Sequence, residues 1–231
     1  MGKHLAFLEV GTSDFNAMIQ TAPDDWSGIS MEPLKFYLDS LPDRPLVTKL
    51  AAALVAEPTP YIDMYYIEPS VIYDPKNDLY DFMKGCNSVG KPHDYHLRYN
   101  GFSTDYVDEN VVVRNLLEEG LVTHIKVPAL TFEQLMDVYD LDYIGTIKLD
   151  TEGQDSPLLQ SILDYYQKTG KIPPKTIEFE TNRHNNYDEV VKVGERLTSL
   201  NYSLKVGDSW YNTFEDFNGQ FENDCIAILN D

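Results

Sequence analysis

The sequence predicts an α/β fold: a doubly wound, mostly parallel sheet of about seven strands, interrupted by one inserted region. Three observations carry this expectation. Short apolar runs such as LAFLEVG (5–11), YIGTIKLD (143–150) and KTIEFETN (175–182) are separated by helix-length segments, the rhythm of βαβ units. Acidic residues stand at the ends of those runs, on the sheet edge where open α/β folds bind ligands. Residues 58–128 have another texture, rich in Pro, Tyr, Asn and Gly, as an insertion facing a substrate would have. The 231 residues suit a single domain containing that insertion better than two independent domains.

Each element follows from local chemistry. LAFLEVG reads as a buried strand ending in a turn. GISMEP (28–33) is a second strand, stopped by Pro33, and LVTKLAAALVAE (46–57) a third. YIDMYYI (61–67) has the alternation of an extra strand, and GCNSVGKPHDYH (85–96) has loop composition. DENVVVRNLLEEG (108–120) reads as a short helix closed by Gly120. Thr131 and Gln134 form a capping box, followed by a helical face of Phe132, Leu135, Met136 and Tyr139. Ser156 and Pro157 suit the N-cap and first position of a helix that ends at Gly170. Tyr187, Val190, Val191, Gly194 and Leu197 mark another helix. YSLKVG (202–207) and DCIAILN (224–230) are close enough to be an antiparallel pair.

Charge narrows the function. With 38 Asp and Glu against 18 Lys and Arg, the formal net charge is -20, which repels nucleic-acid backbones and anionic lipid. A small or cationic ligand, or a metal, is compatible with it. No apolar run approaches the roughly 20 residues of a membrane span. The start of the chain has too short an apolar stretch for a signal peptide. Two cysteines, Cys86 and Cys225, cannot make a disulfide framework, so a reduced, cytoplasmic setting is expected.

Two constellations carry chemistry. The first is Glu9-Val10-Gly11-Thr12-Ser13-Asp14-Phe15 with Glu32, which ends the second strand 21 residues after Gly11. Glu32 is placed to accept both hydrogen bonds of a ribose diol, and Gly11 allows close backbone approach. A dinucleotide would need a Gly-rich phosphate loop, whereas Ser13 and Phe15 occupy the later glycine positions and Glu9 and Asp14 add negative charge. A ligand with an ammonium and a sulfonium, S-adenosylmethionine, suits this turn better. A plain tight turn at Gly11 and a solvated strand end at Glu32 account for the same residues. The second constellation is Lys148-Leu149-Asp150-Thr151-Glu152-Gly153, with Glu180 and Asn182 one strand later. Neighbouring strands lie about 4.8 Å apart, so Asp150, Glu180 and Asn182 can converge as hard oxygen ligands for Mg²⁺ or Ca²⁺. Alternatively one carboxylate is a general base, or all three acidic and amide groups only solvate strand ends. His184 reads as a base or as a surface-loop histidine, and Cys86 as structural or incidental. Tyr61, Tyr65 and Tyr66 fit an acceptor pocket or ordinary strand packing.

Taken in order, FLEVG, SMEPL, KLAAAL, VPALTFEQL, IGTIKLDTEGQDSPLL and IEFE resemble the FkbM family of S-adenosylmethionine-dependent methyltransferases, from Leu5 to about Asn182. The most specific match runs from Val127 to Leu159, and GCNSVG (85–90) looks like a family segment before it. The resemblance implies a class I methyltransferase (Rossmann-like) sheet and O-methylation of hydroxyls on sugars or polyketide-type natural products. It places Glu9, Gly11, Thr12 and Ser13 around the methionine part of the cofactor. It puts Glu32 and Pro33 at the ribose, Ala52 and Ala53 near the adenine, and Asp150 close to the reacting methyl. Phe15 stands where the family usually has glycine, and Thr12-Ser13 replace its usual Ala-Asn. Asp150, Glu152 and Glu180 are then the candidate catalytic carboxylates, with Mg²⁺ on Asp150, Glu180 and Asn182 as an open option. Asn87, Ser88 and His184 are the candidates for holding a small-molecule or carbohydrate acceptor. Two other classes share these features: an inactive binding module that keeps the sheet, and a nicotinamide-dependent oxidoreductase.

Overall fold

The computed structural model describes residues 2–12, 17–101, 113–181, 187–207, 209–211 and 224–230. Its chain divides into two compact units, one of residues 1–60 and 128–231, the other of residues 61–127.

The first unit opens with β1 (Lys3–Val10), α1 (Met18–Thr21), β2 (Gly28–Met31), α2 (Lys35–Ser40), β3 (Val47–Leu50) and β4 (Ala53–Val55). The second unit holds β5 (Tyr61–Tyr66), α3 (Pro69–Ile72), a 3₁₀ turn at Asp81–Lys84, β6 (Ser88–Val89) and α4 (Asp94–Leu97). After β7 (Thr123–Thr131), the first unit resumes with α5 (Phe132–Val138), β8 (Leu141–Leu149), α6 (Asp155–Thr169) and β9 (Thr176–Glu180). It ends with α7 (Tyr187–Ser199), β10 (Tyr202–Val206), β11 (Ser209–Tyr211) and β12 (Asp224–Leu229).

Among the described residues the main sheet has eight strands, in the order β11-β10-β12-β9-β8-β1-β2-β3. The neighbours from β3 through β9 are parallel. β12 runs antiparallel to both β9 and β10, as the closeness of 202–207 and 224–230 predicts, and β11 adds an antiparallel edge. This edge strand takes the sheet beyond the expected seven. Its three residues are too short to show a period of two. The run 46–57, expected as one strand, is two. Leu50 pairs with Met31 in the main sheet, the chain turns at Ala52, and Ala53 pairs with Ala129 of β7. An unbroken apolar run does not show which neighbour each half will take.

The core of this unit explains its order. Leu8, Val10, Ile29, Met31, Ile147, Leu149, Ile177 and Phe179 supply one apolar layer. Leu158, Leu159, Ile162 and Leu163 of α6 cover it. Together these are buried apolar side chains, each worth about 1.5–3 kcal/mol of transfer free energy. Thr131 and Gln134 cap α5 reciprocally, with Gln134 N donating to Thr131 Oγ1 at 3.3 Å and Thr131 N to Gln134 Oε1 at 2.8 Å. Gly170 ends α6 in the left-handed conformation, φ 66°, as its position predicts. The start of α6 differs from expectation. Gln154, not Ser156, is its N-cap, and Asp155 at the first helical position turns its carboxylate back to accept the Thr151 amide.

In the second unit β5 runs between β6 and the first half of β7. Ile67, Ile72, Met83, Cys86, Tyr99 and Leu116 form a small core of their own. The helix expected over 108–120 is absent from its described part, 113–120. Tyr99 and Arg114 exchange backbone hydrogen bonds at 2.9 and 2.8 Å, and a turn follows. That bridge holds Arg114 extended, and residues 102–112 lie outside the described set. No helix among the described residues is long and apolar enough to cross a membrane. Cys86 and Cys225 are both free and buried.

His96 of α4 is fully buried, and its Nδ1 accepts the His93 amide at 3.3 Å. Burial, with His93 beside it, pushes its pKa down to about 3. The unfolded chain therefore binds a proton at His96 below about pH 6.5 that the folded chain refuses, and stability falls as pH falls from there. The expected loss attributable to His96 is about 2 kcal/mol between pH 7 and pH 5. Urea unfolding at both pH values checks this. His96→Asn, which keeps an acceptor without the basic nitrogen, should show a flatter pH dependence than the wild type.

Candidate active site

The site begins with the register of parallel strands. β1 aligns Glu9 with Ser30 of β2 on one side and with Lys148 of β8 on the other. Aligned residues in a ladder share a sheet face, so a carboxylate, a hydroxyl and an ammonium meet there. Ser30 Oγ donates to Glu9 Oε2 at 3.1 Å, and Lys148 Nζ lies 3.6 Å from Glu9 Oε1. The amide of Met18, at the start of α1, donates to the same Oε1 at 2.6 Å. Glu9 is wholly buried, and that burial raises its pKa while the Met18 amide and Lys148 pull it back down.

One residue beyond β2, Glu32 is also buried. It accepts from the Leu34 amide at 2.9 Å and from the Thr12 amide at 3.2 Å. The second of these bonds ties the turn after β1 to the end of β2. Thr12 is itself buried, Pro33 half-buried, and Ala52 and Ala53 are buried where the chain leaves β3. Gly11 has φ +79°, and a Cβ built on it would lie 1.8 Å from the carbonyl oxygen of Asp150. The close approach seen at Gly11 is thus to the β8 backbone, which brings the first turn against the second constellation. Ser13, Asn182 and His184 lie outside the described residues.

At the end of β8 the acids gather. Asp150, Glu152 and Glu180 each bring a carboxylate oxygen within 4.8 Å of the others. Glu152 takes its place through a left-handed backbone, φ 53°. Glu152 joins Asp150 and Glu180 as an oxygen donor among the described residues, and the expected contribution of Asn182 lies outside them. Lys148 Nζ is 3.8 Å from Asp150 Oδ2, so one ammonium faces both Glu9 and Asp150. Burial, followed by repulsion from Asp155, Glu152 and Asp224, raises the Asp150 pKa to about 7 against the pull of Lys148. With 38% of the side chain still open to solvent, water tempers that repulsion. Glu180 is held well above the usual carboxylate range by burial first and by Glu152 and Asp150 next. Its Oε2 is buried and has no hydrogen-bond partner among the described residues.

Sequence reasoning missed Asp155. It is fully buried at the first turn of α6. Its Oδ1 accepts the Thr151 amide at 2.9 Å and the Thr151 hydroxyl, and its Oδ2 accepts the Glu180 amide at 2.9 Å. The signal was present in DSP, where an acid opens a helix, but Ser156 is the stronger N-cap type by propensity.

Two of the acceptor candidates, Asn87 and Ser88, fall in the second unit. Asn87 Nδ2 donates to the Lys84 carbonyl at 2.6 Å, and Ser88 Oγ to the Lys91 carbonyl at 2.8 Å. Tyr66 is buried with its hydroxyl on Glu68 at 2.8 Å, while Tyr61 is exposed and Tyr65 stacks on His124.

Compared with known proteins, the chain matches no family model, no curated protein and no solved structure.

The Gly11 contact has a direct consequence. Gly11→Ala adds a Cβ to a left-handed residue packed on the Asp150 backbone, so the β1 and β8 ends must move apart. The expected cost is about 3 kcal/mol or more, read as a lower midpoint in chemical unfolding.

Proposed function

We propose that this chain is an S-adenosylmethionine-dependent O-methyltransferase of the FkbM type, acting on a hydroxyl of a sugar, glycan or small natural product. One observation carries the reading: Glu9, Lys148 and Asp150 meet at the β1 and β8 ends, and the Thr12 amide links that turn to Glu32. The order β3-β2-β1-β8-β9 follows the first five positions of the doubly wound pattern 3-2-1-4-5, which binds ligands where the order reverses. That reversal falls between β1 and β8, beside these residues. The dinucleotide version continues with a sixth parallel strand, whereas antiparallel β12 follows β9 here. This weighs against the nicotinamide reading, as does a turn lined by acids.

The donor set suits a cation. When bound, S-adenosylmethionine supplies an electrophilic methyl on a positive sulfur. Glu32, already directed by two backbone amides, accepts from the ribose hydroxyls. Asp150 takes the proton of the acceptor hydroxyl, since its pKa of about 7 balances availability against basicity. Lys148 keeps the carboxylate form accessible among so many acids. Glu180, held neutral, offers a hydrogen-bond donor beside it. Alignment of the hydroxyl with the methyl accounts for a large part of the rate. Asp150, Glu152 and Glu180 are hard oxygen donors near enough together to hold a Mg²⁺, which when bound would acidify that hydroxyl.

A second reading is an inactive module that keeps the sheet. It is favoured by Glu9, which is wholly buried and engaged by Met18, Ser30 and Lys148 of its own chain. Calorimetry with S-adenosylmethionine separates the two: heat of binding with methyl transfer to a hydroxylated acceptor supports the enzyme, and binding without transfer supports the module. Asp150→Asn should leave the fold intact and lower turnover by about 100-fold or more. Wild-type turnover should rise with pH through about 7, as Asp150 loses its proton. Full turnover in Asp150→Asn rejects its role as base.

A further inference from the structure

We infer that Asp155 is the positioning residue of the carboxylate cluster, the group that sets how far the Asp150–Glu152 turn stands from the Glu180 strand end. The inference rests on the reading of that cluster as the chemical centre. Asp150 and Glu152 stand on a turn and Glu180 on a separate strand end, yet one oxygen from each lies within 4.8 Å of the others, so a defined link must set their spacing. The parallel ladder of β8 and β9 pairs Lys148 with Glu178 as its last register position, two residues short of Asp150 and Glu180. Beyond that point the two strand ends need another link.

Asp155 provides it. One oxygen receives the amide and hydroxyl of Thr151, which stands between Asp150 and Glu152, and the other receives the amide of Glu180 itself. The carboxylate is wholly buried, so these bonds are shielded from competing water. Its support is rigid. α6 is 15 residues long, and Leu158, Leu159, Ile162 and Leu163 anchor it in the main core. Asp155 makes none of the proposed contacts to substrate or methyl donor, and it acts through the backbone of residues that do.

The test uses Asp155→Asn in the full chain. Asparagine keeps one acceptor and turns an NH₂ toward a donor, so the link fails on one side at least. Amide exchange by NMR should show Thr151, Glu180 or both exchanging about 10- to 100-fold faster, with β1 and β8 core amides unchanged. The backbone resonances of Asp150 and Glu152 should shift. The dissociation constant for S-adenosylmethionine should stay within about twofold while turnover drops about 10- to 100-fold. A general loss of stability would instead speed exchange across β1 and β8 as well. Unchanged exchange at both amides overturns the inference, as do freed amides with wild-type turnover. If Asp155→Asn does not fold, the wild type decides: the Thr151 and Glu180 amides should exchange as slowly as core amides of β8, and rapid exchange at both overturns the link. A wild-type protein that transfers no methyl group defeats the proposed activity, and the exchange and resonance readings then decide the role of Asp155.

Discussion

The parallel register of β1 against β8 is the constraint from which the site follows. It sets Glu9 opposite Lys148 and carries Gly11 against the backbone of Asp150. A slip of one residue would send Glu9 to the other face of the sheet and leave Lys148 facing an apolar neighbour. The register is itself a product of burial. Phe7, Leu8, Ile144 and Ile147, which lie along this ladder on both faces of the sheet, are each wholly buried.

The buried acids are not equivalent, and their partners explain why. Glu9 has a hydroxyl, an ammonium and a backbone amide around it, and Asp155 has two amides and a hydroxyl. In both, hydrogen bonds offset much of the cost of leaving water. Glu180 has a buried oxygen with no partner among the described residues, and other acids lie beside it. Perturbed carboxylates of this kind concentrate where a protein works on a ligand. The contrast separates acids saturated by their own chain from one with an oxygen unpartnered among the described residues.

Much of the fold was legible because its signals are local. Apolar runs marked β1, β8 and β9, the Thr131–Gln134 pair marked α5, and Gly170 marked the end of α6. Errors arose where a distant partner decides. The run 46–57 breaks because Leu50 and Ala53 belong to different ladders. Residues 113–120 are not helical because Arg114 is held extended by Tyr99. β11 escaped notice because three residues show no pattern.

For the site, the sequence by itself determined which groups stand at strand ends: Glu9, Glu32, Asp150, Glu152 and Glu180 all close or follow apolar runs, and chain geometry puts such residues on the carboxyl edge of a parallel sheet. Only the tertiary structure decided their chemistry. Whether a carboxylate is saturated by its own chain or left with an empty oxygen depends on neighbours from other strands and helices. Those neighbours are Ser30 for Glu9, the Leu34 and Thr12 amides for Glu32, and Asp155 for the Glu180 backbone. Burial and Coulomb forces act through space, so no spacing along the chain encodes them directly.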